Sequence, residues 1–152
     1  MLRTSTILAL AALVLSAGAA SAQSRVEVGV LACRGPVNSY ILASVGDLRC
    51  VFRRSDGKTF RYRATVRRIG IDIGVNQTTA MEWGVFAPTQ RITPADLRGN
   101  YGGVSAGVSI GLGLGANVLL GGSNDTIALQ PVSVEGQTGF SIDAAIAGLA
   151  LR

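Results

Sequence analysis

Apolar and polar residues alternate with a period of two along most of this chain, and this pattern constrains its fold more than any other feature. Val26, Val28 and Val30 show it first, and similar runs return up to the end of the chain. Successive side chains of a β-strand point to opposite faces, so the period predicts strands with one buried face. Glycine, asparagine, aspartate and serine separate the runs, as turn residues do. We therefore predict a single all-β domain over residues 23–152, an antiparallel sandwich or a small barrel, with one short helical turn near residues 94–98.

The clearest local unit is a hairpin that turns at Asp56-Gly57. On its returning strand, arginines alternate with apolar residues. Arginines of the preceding strand join them if the apolar side chains of both strands share the other face. The candidate anion-binding residues are Arg53, Arg61, Arg63 and Arg67, with Arg49 beside them. The alternative is a solvated basic face that the rest of the fold neutralises.

Charge is distributed unevenly along the chain. Residues 23–68 contain ten cations and three acids, whereas residues 69–152 contain three cations and six acids. Such asymmetry is typical of a face that binds polyanions, or of two parts of one fold that neutralise each other. The partners expected from it are an anionic lipid or an envelope polyanion.

The first residues have the composition of a secretory signal peptide. Arg3 precedes an apolar run over residues 7–15, and small residues follow up to Ala20-Ser21-Ala22. We predict a signal peptide over residues 1–22, cleavage after Ala22, and a periplasmic or secreted protein. No later stretch reaches the roughly 18 consecutive apolar residues of a membrane helix. A small outer-membrane barrel is a further alternative, but the strand arginines and an end without a terminal aromatic residue argue against it.

The absence of histidine excludes several chemistries. Without it the chain has no serine–histidine or cysteine–histidine pair, no usual general base near neutral pH, and no ligand of the type that zinc most often uses. We expect no metal and no cofactor. A non-catalytic binding or structural module is the favoured function. The alternative is a carboxylate-based enzyme that would use Asp72 and Glu82.

Cys33 and Cys50 are the only cysteines. An even number of cysteines in an exported chain predicts one intramolecular disulfide. The alternative is a pair of free or intermolecular thiols, which an oxidising compartment disfavours.

The glycine-rich segment over residues 107–120 also alternates with a period of two, so we predict a strand with one apolar face and one nearly bare face. A dinucleotide site requires a strand, then glycines, then a helix start, so we expect no nucleotide. The bare face would either pack closely or admit a ligand to the backbone.

Several motifs together resemble an exported proteobacterial family known only as a domain of unknown function. They begin at residues 28–33 with VGVLAC and at 47–52 with DLRCVF, and continue with GIDIG, WGVFAP, GLGANVL, IALQP and GQTG. This resemblance implies export, paired cysteines and an uncharacterised periplasmic role, and it supplies no catalytic residues. The last third of the chain also resembles the lipid-binding SYLF domain, which implies a lipid surface as a partner.

Overall fold

The described residues form a closed barrel of eight antiparallel strands. The structure is a computed structural model that describes residues 24–39, 43–69, 77–104, 106–115, 117–136 and 146–152. Its elements are β1 (Val26–Ser39), β2 (Ala43–Arg54), β3 (Thr59–Ile69), β4 (Gln77–Ala87), β5 (Gly99–Gly103), α1 (Ala106–Gly111), β6 (Leu119–Gly121), a 3-10 turn (Ser123–Asp125), β7 (Ile127–Gly136) and β8 (Ile146–Leu151). The strand order is β1-β2-β3-β8-β5-β6-β7-β4, and β4 pairs with β1 to close the sheet. The predicted all-β class is confirmed, with the barrel rather than the sandwich.

Apolar side chains fill the interior of the barrel. Trp83 and Phe52 are the largest of them, and both are fully buried. An eight-stranded barrel is just wide enough for side chains to fill it. On β3 the residues alternate between buried Tyr62 and Ala64 and exposed arginines, as the period of two predicts. On β3, Arg61, Arg63 and Arg67 therefore face outward.

The hairpin between β2 and β3 turns where the sequence predicts it. Gly57 adopts φ +88°, and the Lys58 amide donates to the Asp56 carboxylate over 3.0 Å. The Arg54 guanidinium contacts the same carboxylate at 2.5 Å and lies over the Phe60 ring at 5.3 Å from its centroid. The hydrogen bond from Arg54 is the main cause that lowers the pKa of Asp56 to about 2, and the hydrogen bond from the Lys58 amide is the second. Arg54 therefore stabilises the turn between β2 and β3, and its side chain does not lie with the exposed arginines of these strands.

The segment between β4 and β5 packs against the end of the barrel where this hairpin turns. Leu97 is fully buried, and the Tyr62 hydroxyl donates to the Pro94 carbonyl over 2.8 Å. Burial raises the pKa of Tyr62. Near residues 94–98, where the sequence predicts a helical turn, the structure has turns over residues 94–97 rather than a helix. The Asp96 amide there donates to the Thr93 carbonyl over 3.1 Å.

The glycine-rich segment differs from its prediction. In place of a strand over residues 107–120, the chain forms α1, turns, and then the three residues of β6. Gly113 has φ +70°, which ends any extended run, and a Cβ built there would have no neighbour within 4 Å. The glycine is exposed, so the reading of a closely packed strand face is wrong.

At Pro131 the sequence also predicts an edge or a bulge in its strand, because proline cannot donate to the sheet. Trp83 of β4 pairs with Pro131, and the register between β4 and β7 shifts between Glu82 and Trp83. Val132, the residue after the proline, is 62% exposed. The bulge is therefore confirmed.

Candidate functional site

A row of arginines crosses four neighbouring strands on the outside of the barrel. Arg34 of β1 pairs with Arg49 of β2, and Arg49 pairs in turn with Arg63 of β3. The backbone of Arg63 exchanges two hydrogen bonds with Arg152, which follows β8, at 2.9 and 2.8 Å. We call these four residues the arginine rung. Neighbouring strands lie about 4.8 Å apart, so the rung places like charges directly beside one another.

Three further arginines extend the rung into a basic surface. The arginine face comprises Arg34, Arg49, Arg53, Arg61, Arg63, Arg67 and Arg152, all of them exposed. Arg53, Arg61, Arg63 and Arg67, the residues predicted to bind anions, thus lie on one outward face of β2 and β3.

Two carboxylates lie on the same face. Asp47 accepts a hydrogen bond from the Thr65 hydroxyl at 3.0 Å. Glu82 lies on β4, and its Oε1 is 3.7 Å from Nη2 of Arg53. The side chains of Arg53 and Glu82 remain 62% and 43% exposed, so this pair contributes little to stability. The positive charge of the face is only partly compensated.

The like charges of the rung oppose folding. Two unit charges 6 Å apart in water repel by about 0.7 kcal/mol, and like charges directly opposite in a sheet are destabilising. The cost grows at low ionic strength, where screening is weak. The fold keeps these side chains together in spite of the repulsion.

A disulfide fixes part of this arrangement. Cys33 and Cys50 are bonded and buried, directly opposite each other on β1 and β2, which confirms the prediction. Each cysteine is the chain neighbour of a rung arginine, Arg34 or Arg49. The covalent bond therefore fixes the register that sets these two arginines side by side.

Two shallow depressions lie on the two sides of the pair formed by Arg34 and Arg49. The larger, of about 910 Å³, is bordered by all four rung arginines together with Asp47. The smaller, of about 380 Å³, is lined by Arg34, Arg49, Arg53 and Glu82 around the small outward side chains of Ala32, Val51 and Ala80. We call the smaller one the Glu82 depression. Each combines several guanidinium groups with one carboxylate.

The comparison with protein families covers almost the whole chain. A family model described as "Protein of unknown function (DUF992)" matches residues 12–152. The chain belongs to the DUF992 family. The predicted resemblance to a family known only as a domain of unknown function is confirmed, and the description of this family names no activity. No curated protein and no solved structure matches the chain.

In this DUF992 chain, sequence reasoning missed two members of the rung. The sequence places Arg34 and Arg152 among the cations of the first and second parts of the chain, but it does not group either of them with the candidate anion-binding residues. Arg34 comes beside Arg49 through the register of the consecutive strands β1 and β2, and Arg152 comes beside Arg63 through the pairing of β8 with β3, which joins distant parts of the sequence. The alternation of each strand by itself could have placed their side chains outward, but not beside Arg49 and Arg63.

The residues of the alternative enzyme hypothesis are only partly described. Glu82 lies on the outer surface beside Arg53, and Asp72 lies outside the described residues. Among the described residues, no three histidine, cysteine, aspartate or glutamate side chains group as metal ligands would. Over the same ranges, none of the helices has the length and apolar character needed to cross a membrane.

Proposed function

We propose that this DUF992 protein is an exported, non-catalytic module that binds anionic surfaces of the cell envelope through its arginine face. The signal-like segment over residues 1–22 supports export. An intact mass that begins at Gln23, measured on protein recovered from the periplasm or the medium, tests that part. Protein that retains residues 1–22 in the cytoplasm would contradict it.

The arginine rung is the observation that carries the binding proposal. Three adjacent strands and the residue that follows β8 each contribute one arginine to the same line, and the disulfide fixes two of them in register. A repulsive row of this kind is stabilised when an anion neutralises it. Stability given up for such an arrangement is typical of functional surfaces.

Arginine also suits the proposed partner chemically. Its planar guanidinium group presents two parallel N–H donors to the oxygens of a phosphate or carboxylate, which a lysine ammonium does not. The arginine face contains no lysine; the lysine of the chain, Lys58, lies in the β2–β3 turn. This preference favours phosphate-rich surfaces such as anionic lipid headgroups.

Co-sedimentation with vesicles tests the proposal. The purified protein should sediment with phosphatidylglycerol vesicles and not with phosphatidylcholine vesicles. Raising the salt from 0.1 M to 1 M shortens the Debye length from about 10 Å to about 3 Å and should abolish sedimentation.

Two double variants distinguish binding by the arginine face from a general effect of the protein's net charge. Near an anionic membrane each cation contributes about 1 kcal/mol, so Arg49→Gln/Arg63→Gln should weaken binding about thirtyfold. The matched control is Arg91→Gln/Arg98→Gln, which removes the same charge from the exposed segment between β4 and β5. Equal losses of binding in the two double variants, or equal sedimentation with both kinds of vesicle, would contradict the proposal. The alternative, a solvated basic face that the rest of the fold neutralises, would then be favoured.

A further inference from the structure

The Glu82 depression contains one feature that a site for simple anions does not need. Three of its charged side chains are the cations Arg34, Arg49 and Arg53, and the fourth is the carboxylate of Glu82. A carboxylate at this position repels every anion that the arginines attract. Its place opposite three cations therefore indicates a ligand that carries both signs of charge.

The strand register separates the two charges of the depression. Ala32 is directly opposite Glu82 on one side and Val51 on the other. Arg34 and Arg49 face each other two residues further along, a distance of about 7 Å along the strands. Small side chains between these positions leave the surface open. A ligand can thus contact the arginine pair at one end and Glu82 at the other.

Arg53, the present partner of Glu82, makes only a weak contact with the carboxylate. This contact is 3.7 Å long and exposed, and exposed ion pairs contribute little to stability. A ligand cation can therefore join or replace Arg53 at small cost. At the other end, a phosphate offers three non-bridging oxygens as a monoester and two as a diester, enough in either case to accept hydrogen bonds from Arg34 and Arg49 together.

We propose that the Glu82 depression binds a zwitterion in which a short carbon chain joins a phosphate to a primary amine. The phosphate lies between Arg34 and Arg49, and the ammonium group lies at Glu82. This inference rests on the proposed function and names the ligand chemistry of one part of the arginine face. The same group occurs free, as phosphoethanolamine, or as the headgroup of phosphatidylethanolamine.

Two soluble phosphate esters distinguish a site for a zwitterion from a face that responds only to charge. Phosphoethanolamine carries a compensating ammonium group, whereas glycerol phosphate carries none and has the larger negative charge. A face that responds only to charge binds glycerol phosphate at least as tightly. With a contact at Glu82 worth about 0.5–1 kcal/mol, phosphoethanolamine should bind about two- to fivefold more tightly.

The titration is followed by NMR of the arginine Nε–H groups and of the Ala32 amide at low salt. Glu82→Gln should abolish or reverse the preference for phosphoethanolamine. The matched control is Asp47→Asn, which removes the carboxylate of the larger depression and should leave the preference unchanged. Ala32→Leu fills the depression without changing any charge and should weaken the binding of both esters there.

Vesicles distinguish the two sources of the ligand. If adding phosphatidylethanolamine to phosphatidylcholine vesicles produces sedimentation that Glu82→Gln removes, the lipid headgroup is the ligand form. If free phosphoethanolamine binds with the stated preference and these vesicles do not, the ligand form is soluble. If wild-type protein binds glycerol phosphate as tightly as phosphoethanolamine, the inference is overturned. In that case, selective sedimentation with phosphatidylglycerol vesicles would still support the proposed function. If the protein also failed to sediment with these vesicles, both the inference and the proposed function would be wrong.

Discussion

Replacing Arg49 by glutamine should make the unliganded protein more stable, although most substitutions destabilise a protein. Arg49 is the central member of the rung, with Arg34 opposite it on one side and Arg63 on the other. Glutamine keeps much of the length of the side chain and removes its charge. The substitution thus eliminates two repulsive cross-strand pairs and leaves the rest of the barrel intact.

The gain follows from the geometry of the rung. Each pair at about 6 Å in water costs about 0.7 kcal/mol, so two pairs cost about 1.4 kcal/mol. Measured cross-strand effects of about 0.2–1 kcal/mol for each pair give about 0.4–2 kcal/mol. We expect the free energy of unfolding to rise by this amount in 10 mM salt. The gain should shrink strongly in 1 M salt, where the Debye length is about 3 Å.

Urea unfolding at the two salt concentrations measures the effect. Arg61→Gln is the control, because Arg61 has the uncharged Val51 as its partner on β2, and it should change stability by less than about 0.5 kcal/mol. The reasoning would be refuted by an unchanged or lower stability of Arg49→Gln at low salt. A gain of the same size at both salt concentrations, or in both variants, would also refute it.

Two further predictions concern glycines and pH. Gly121→Ala should destabilise the protein by about 3 kcal/mol, because the new Cβ would overlap the Asn100 carbonyl, whereas Gly113→Ala should cost about 1–2 kcal/mol through its φ of +70° alone; equal costs in urea unfolding would contradict this. Since the pKa of Asp56 falls from 3.8 to about 2 on folding, its ionised form stabilises the protein above about pH 4, and this contribution is lost as the pH falls toward 2. Wild-type protein should therefore lose more stability over this range than Asp56→Asn, and parallel pH profiles would count against the contact with Arg54.

The features predicted correctly depend on residues that are close in the sequence. Asp56-Gly57 defines its turn through its own backbone preferences, and alternation places Arg61, Arg63 and Arg67 on one side of β3 without reference to any other strand. The pairing of Cys33 with Cys50 needed only the cysteine count and the expectation of export. Local chemistry was sufficient for each of these predictions.

The features that were missed depend on interactions that no local pattern records. Alternate glycines imitate a strand, yet glycine also permits the positive φ at Gly113 that ends one, so the period alone could not distinguish the two. Barrel and sandwich share the same strand pattern and differ in which strands pair; here β4 pairs with β1, which closes the sheet. Predicting the rung also required the pairing of strands, because Arg34 depends on the register of β1 with β2, and Arg152 depends on the pairing of β8 with the distant strand β3.

The position of β8 has a consequence for the order in which the barrel can assemble. This last strand, Ile146–Leu151, lies between β3 and β5 and pairs with both. Until it arrives, β3 and β5 each present an unpaired edge, and unpaired edges promote aggregation. A chain that emerges with its N-terminus first, from a ribosome or from a membrane pore, can form the hairpin of β2 and β3 early but can close the cylinder only at the end. Completion of the barrel is therefore a late, long-range event in folding, and it depends on β8.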